Sequence, residues 1–151
     1  MTMKTLILGL GNPILTDDGV GIEIAQEIGE ERPDLEVVET SEAGLALLDY
    51  IVGHDKLIII DSIKTENGRP GELYRLGLGD FNAAADLSFS HSVDIASAFK
   101  VGEGLGYKMP RSVSIYAIEV KDNSTFGQGC TEEVKKRIPF ITRQILREEK
   151  L

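Results

Sequence analysis

Thr5-Leu6-Ile7-Leu8-Gly9-Leu10-Gly11-Asn12-Pro13-Ile14-Leu15-Thr16-Asp17-Asp18-Gly19-Val20-Gly21 decides how the rest of the chain is read. An apolar run gives way to two glycines, and Val20, Ile24 and Ile28 then recur every fourth residue. That is a strand, a tight turn and the start of a helix. The start of a helix preceded by glycines attracts anions through its free N–H groups and its dipole. Here Asp17 and Asp18 already fill that field with negative charge. They repel a pyrophosphate and attract a cation, so the loop reads as a metal site rather than a nucleotide site. The glycine spacing agrees: Gly9 and Gly11 give two positions of a dinucleotide fingerprint, but Ile14 stands where the third small residue belongs. No bound dinucleotide or other organic cofactor is expected.

Outward from that stretch, strand and helix patterns alternate. Strands are expected at Lys4–Leu8, Leu35–Glu39, Leu57–Ile60, Glu72–Leu76 and Ser112–Ile118, and Leu57-Ile58-Ile59-Ile60 is apolar on both faces, as a central strand is. Helices are expected near Gly19–Glu30, Ala43–Gly53, Ser92–Val101 and Thr131–Glu149. In the last, Thr131 is placed to cap the helix, and Pro139 predicts a kink or a break. The alternation predicts an α/β fold, a twisted and mostly parallel sheet with helices on both faces in three layers, in one domain over residues 1–151. Gly77–Ser90, Gly102–Arg111 and Lys121–Gly129 read as loops, rich in Gly, Asn, Asp and Ser.

The 151 residues carry sixteen Lys and Arg against twenty-five Asp and Glu, a net charge of −9. An acidic chain lacks the basic face that nucleic acid or an anionic membrane requires, so neither is an expected partner. No apolar stretch approaches the ~20 residues that span a bilayer. No signal peptide is read ahead of the first strand, and the single cysteine, Cys130, rules out an internal disulfide. Both point to a cytoplasmic protein.

Ligands of open α/β sheets bind beyond the carboxyl ends of the strands. Asp17 and Asp18 follow the first strand, Asp61 follows Ile58-Ile59-Ile60, Glu119 follows Ile115-Tyr116-Ala117-Ile118, and His91 stands between a loop and a helix. Each has a plain structural reading. Asp61 suits a turn cap; Asp17 or Asp18 suits a helix cap, with the other left over; His91 suits a capping or half-buried ring. Asp94, one turn past His91, orients that ring or is solvated. His54, in the polar turn Val52-Gly53-His54-Asp55-Lys56, reads as a surface residue. Together, two carboxylates and one imidazole at one sheet edge form a mixed O/N set suited to Ni, Zn, Mn or Fe. No HExxH or GxSxG motif is present. Nothing local marks Cys130 as an activated nucleophile.

The motifs resemble those of the hydrogenase maturation endopeptidases, which remove a C-terminal extension from the large subunit of nickel–iron hydrogenases. The opening Gly9-Leu10-Gly11-Asn12 with Asp17-Asp18 and Gly21 is similar to that family's G-x-G-N and D-[DE]-x-x-G signature. Leu57-Ile58-Ile59-Ile60-Asp61-Ser62 resembles its second acidic motif, Ser90-His91 its histidine motif, and Ala117-Ile118-Glu119 its late segment. The resemblance spans the chain. Two positions depart: Thr40-Ser41-Glu42-Ala43-Gly44 keeps only the later part of a glycine-rich run, and Val120 replaces a proline.

The resemblance implies a three-layer phosphorylase/hydrolase-like fold and an aspartic-type endopeptidase. It implies Asp18, Asp61 and His91 as catalytic and metal-ligating residues, with Asp17 outside that set. It further implies a hydrogenase large-subunit precursor as protein substrate, which brings the nickel on its own cysteine thiolates, so that cleavage follows metal loading. The Gly77–Ser90 and Lys121–Gly129 loops are the expected docking surface. A non-catalytic nickel-checking module and a hydrolase with a resident metal are the alternatives. So is a peptidyl-tRNA hydrolase-like esterase, whose opening Gly-Leu-Gly-Asn-Pro is shared; but here Ile14 follows Pro13, no histidine precedes His54, and the net charge is −9.

Overall fold

In the computed structural model, which describes residues 3–82, 88–89 and 95–151, the opening run forms strand β1 (Thr5–Leu10). A 3-10 turn (Thr16–Gly19) leads into helix α1 (Val20–Glu31). Strand β2 (Glu36–Thr40), a 3-10 turn (Gly44–Leu47) and the single helical turn α2 (Leu48–Ile51) follow. Then come β3 (Lys56–Lys64), β4 (Leu73–Leu76), a 3-10 turn (Leu78–Asn82), β5 (Ser88–Phe89) and α3 (Ile95–Gly104). The chain closes with β6 (Ser112–Glu119), α4 (Glu132–Lys135) and α5 (Ile138–Glu148).

The strands make one sheet in the order β2-β1-β3-β6-β4, with β5 paired to the end of β3. The pairs β1–β2, β1–β3 and β3–β6 are parallel; β4 and β5 join antiparallel. Successive side chains alternate between the two faces. On one face Ile7, Ile58, Ile60, Tyr116 and Ile118 pack against Val20, Ile24 and Ile28 of α1, Val134 of α4, and Ile141 and Ile145 of α5. On the other, Leu6, Leu8, Leu57, Ile59 and Ile115 pack against Leu47, Ile51 of α2, and Ile95 and Phe99 of α3. The fold is the expected three-layer α/β arrangement.

Several expectations are corrected in detail. Strand β3 does not end at Ile60. It runs to Lys64, because β6 continues to pair with it through Ser62↔Ile118 and Ile63↔Glu119 and β5 pairs with Ile63 and Lys64. Asp61 and Ser62 therefore lie within a strand, both fully buried. The helix expected over Ala43–Gly53 is only a 3-10 turn and one α turn. The C-terminal helix is broken as Pro139 predicts, with α5 starting afresh where the missing proline N–H is harmless. Val120, in place of a proline, donates its N–H to Ile63 O at 3.0 Å and so carries the β3–β6 ladder one step further. His54 is not on the surface but 5% exposed. Its Nδ1 faces Ile51 O at 3.2 Å and its Nε2 faces Glu36 Oε2 at 2.6 Å, joining the turn before β3 to the edge strand β2.

The glycines of the opening stretch serve close packing. A Cβ on Gly21 would lie 2.4 Å from Ile60 O and 2.6 Å from Leu10 O; one on Gly9 would lie 2.6 Å from Ala25 Cβ. The first turn of α1 thus rests directly on the end of β1 and the middle of β3. Gly21→Ala is expected to push that helix off the sheet and destabilise the fold by about 1–3 kcal/mol, the usual cost of overpacking, as read by urea unfolding.

At the far end of the sheet Glu149 is 5% exposed. Lys56 Nζ lies 2.8 Å from its Oε1, and Tyr116 donates its hydroxyl to Oε2. Burial alone would raise this carboxyl, but hydrogen bonds from Lys56, Tyr116 and Ser114 outweigh it and hold the group below its ordinary value. A depressed carboxyl contributes stability above its unfolded pKa, about 4.3, and loses it as pH falls through the folded value. Glu149→Gln is expected to cost on the order of 2 kcal/mol at neutral pH. The gap to the unaltered chain should narrow below about pH 4, as thermal melts across that range would read.

Candidate active site

Asp17 and Asp18 sit in the 3-10 turn before α1, buried at 0% and 4% exposure, and divide the work between them. Neither caps the helix: Gly19, its N-cap residue, has no side chain to do so. Asp17 is spent on structure. Its Oδ2 accepts the N–H groups of Lys121 and Asp122, each at 3.0 Å, and its Oδ1 accepts Thr131 N at 2.7 Å and Thr131 Oγ1 at 3.0 Å. Thr131 stands at the N-cap of α4 as expected, but its hydroxyl turns to Asp17 instead of capping. A buried carboxylate needs such donors to offset its lost hydration.

Asp18 points the other way. Its Oδ1 accepts the Ser62 hydroxyl at 2.9 Å, and its Oδ2 accepts the Asn12 amide at 3.1 Å. Asp61, the residue before Ser62, accepts the Ser62 N–H on its Oδ1 at 2.8 Å. Ser62 thus donates to both carboxylates, its hydroxyl to Asp18 and its amide to Asp61, just past the carboxyl end of β1. The glycines make this approach possible: a Cβ on Gly11 would lie 2.3 Å from Asp18 O. His91 and Asp94 lie outside the described residues, and among the described residues no group of three His, Cys, Asp or Glu side chains is placed to hold a metal. Two carboxylates in this arrangement are hard oxygen donors, fit to complete a divalent metal's coordination when other ligands are supplied. Ser62 was legible only as part of a motif; the signal it left is a polar pair, Asp61-Ser62, inside what proves to be a continuous strand.

Glu119, the last residue of β6 and 1% exposed, is engaged elsewhere. It accepts Thr65 N at 2.7 Å and Thr65 Oγ1 at 2.6 Å, and Tyr74 OH lies 3.1 Å away. These contacts fasten the β3–β4 connection. Burial, and hydrogen bonds to Glu72 and Glu119, push the Tyr74 hydroxyl well up. Cys130 is likewise no nucleophile. Its thiol donates to Glu23 Oε2 at 2.8 Å, and burial and that carboxylate push it well above an ordinary thiol, so it stays protonated.

The Lys121–Gly129 loop is bound to the opening turn rather than loose. Thr16 N donates to Gly127 O at 3.0 Å, Gly127 N to Ile14 O at 2.9 Å, and Asp17 N to Asp122 O at 2.9 Å. Asp122 in turn accepts Ser124 N and Thr125 N, each at 3.0 Å, which hold its carboxyl below the usual range. These bonds hold Thr16 at φ +52°, a backbone region a β-branched residue rarely enters.

Residues 4–148 match the family model for hydrogenase maturation protease. The chain is 37% identical over 149 residues to the hydrogenase 2 maturation protease of Escherichia coli, covering 95% of this chain and 89% of that one. It superimposes on the hydrogenase maturating endopeptidase HybD from E. coli with a TM-score of 0.80 at 26% identity, over 97% of this chain and 94% of the other. The HybD maturation protease of Thermococcus kodakarensis shares the fold with a TM-score of 0.79 at 23% identity, over 96% of this chain and 98% of that one. No described helix is long and apolar enough to cross a membrane. The match over nearly the whole chain shows that the chain belongs to the hydrogenase maturation protease family.

Proposed function

We propose that this chain is the endopeptidase that removes the C-terminal extension of a nickel–iron hydrogenase large-subunit precursor, and that it does so by recognising nickel already bound to the precursor. The observation that carries the reading is the joining of Asp18 and Asp61 through Ser62, 2.9 Å from one carboxylate and 2.8 Å from the other. Two carboxylates supply only part of a coordination shell. With His91, the third residue of the proposed set, they bind a free ion weakly. They bind firmly when the precursor's thiolates supply the remaining ligands, which makes cleavage conditional on loading. Nickel is therefore part of the substrate in this reading, not a resident cofactor.

Cleavage requires a water activated against the scissile carbonyl. Bound nickel would polarise that carbonyl or acidify the water. The residues of this chain would position the ion and carry the proton: Asp18 or Asp61 accepts it from the water as that water attacks the carbonyl carbon, and returns it to the departing amine nitrogen as the C–N bond breaks. Asp17 is outside this chemistry, because both its oxygens are held by the 121–131 segment. We place the reaction in the cytoplasm, a reading that the single cysteine, Cys130, supports.

The reading is tested by metal analysis of the purified chain together with cleavage of a loaded precursor. It expects much less than one metal per chain and loss of a C-terminal peptide. One tightly held metal per chain would point to a hydrolase with a resident ion, and tight binding without cleavage would point to a nickel-checking module.

A further inference from the structure

Ser62 is a polar residue where the sheet calls for an apolar one. Side chains of a strand alternate between faces, so Ser62 continues the row of Ile58 and Ile60 that packs under α1. It is fully buried. A hydroxyl there costs free energy unless it is hydrogen-bonded, and alanine would fill the place without that cost. The pairing of β1 with β3 ends at Gly9↔Ile60, and β5 begins at Ile63↔Phe89, so Asp61 and Ser62 fall in the gap between those two partners. In that gap the Ser62 hydroxyl donates to Asp18 Oδ1 at 2.9 Å and its N–H to Asp61 Oδ1 at 2.8 Å.

Fastening the opening turn to the sheet does not call for this hydroxyl. Asp17 already ties the turn to Lys121, Asp122 and Thr131, and Gly21 rests against Ile60 O. What the hydroxyl adds is control of one carboxylate. The terminal torsion of an aspartate is soft. Asp18 has a donor on each oxygen, Ser62 Oγ on Oδ1 and Asn12 N on Oδ2, and the two come from different elements of the fold. Together they stop the group from turning. The Asn12 donor is backbone, so Ser62 holds the side-chain half of that grip.

We infer that Ser62 is a positioning residue for nickel recognition: its hydroxyl holds the Asp18 carboxylate fixed, so that the group meets the precursor's nickel already ordered. The inference rests on the activity proposed above. Ser62 acts through Asp18, as the hydrogen-bonding partners of metal-binding carboxylates do, and such partners are worth about 10–100-fold in metal affinity or activity.

The test compares Ser62→Ala and Ser62→Thr with the unaltered chain, with melting curves alongside. It measures Kd for one precursor in nickel-loaded and nickel-free forms, and for Ni²⁺ alone. Ser62→Ala is expected to raise Kd for the loaded precursor about tenfold, and to leave Kd for the nickel-free form within about twofold. Ser62→Thr keeps the hydroxyl and suits a strand, so it should recover most of the loss. Equal weakening toward both forms would make Ser62 merely structural and overturn the inference, as would no change in either. So would a folded Ser62→Thr that binds no better than Ser62→Ala. Should the extra methyl of threonine overpack the strand, the loaded-against-free comparison in Ser62→Ala decides alone. An unaltered chain that binds both forms alike overturns the nickel reading of the activity. Ni²⁺ titrated into the chain then decides for Ser62: about tenfold weaker binding by Ser62→Ala supports its role, and equal or unmeasurable binding overturns it as well.

Discussion

Asp18→Asn is expected to reduce processing of a loaded precursor by about 100-fold or more, the scale of a lost acid–base or metal-positioning group, while the chain stays folded. The exchange keeps the shape of the side chain and removes its charge. In the folded chain Asp18 accepts the Ser62 hydroxyl and the Asn12 amide on different oxygens. A carboxamide has one acceptor oxygen, so one of the two bonds is lost, at a cost of about 1 kcal/mol. The loss for nickel recognition is far larger, because a neutral amide is a poor ligand for a divalent ion. Asp61→Asn is expected to behave alike. Activity near that of the unaltered chain in either variant, assayed on loaded precursor with melting curves alongside, would remove the carboxylate pair from the mechanism.

Asp17→Ala is expected to act through the fold first. It strips the partner from three backbone N–H groups, those of Lys121, Asp122 and Thr131, and from the Thr131 hydroxyl. A buried donor left without a partner costs about 1–3 kcal/mol, less where water enters, which puts the total near 3 kcal/mol. For a chain of this size that is a fall in Tm of roughly 6–12 °C. Processing should fall as well, since Asp17 and Asp18 share one 3-10 turn and loosening it displaces Asp18. The conservative Asp17→Asn keeps one acceptor oxygen and should recover part of both losses. A melting temperature unchanged by Asp17→Ala would show that the 121–131 segment is held by other means.

The two neighbouring aspartates show what the sequence could and could not disclose. Their charge, set between a glycine turn and a helix, argues against a bound phosphate and for a cation from the sequence alone. Which of the two faces the site depends on partners far along the chain: Asp17 meets Thr131, 114 positions away, and Asp18 meets Ser62, 44 away. No local pattern encodes those distances. Strand β3 teaches the same lesson. Its apolar half is plain from Leu57-Ile58-Ile59-Ile60, but its polar half stays in the sheet because β5 and β6 pair with it, a tertiary effect that overrides composition. The break at Pro139 was legible because its cause is local, a residue without an N–H. The burial of His54 was not, because the carboxylate that receives its ring lies on a different strand, at Glu36.

The central claim is that nickel in the substrate licenses the cut. It is tested most directly by incubating the chain with one large-subunit precursor in two forms, nickel-loaded and nickel-free, and reading the intact mass of each. Loss of a C-terminal peptide from the loaded form alone is the expected result. Equal cleavage of both forms would leave a protease but contradict recognition of the metal through Asp18, Asp61 and His91.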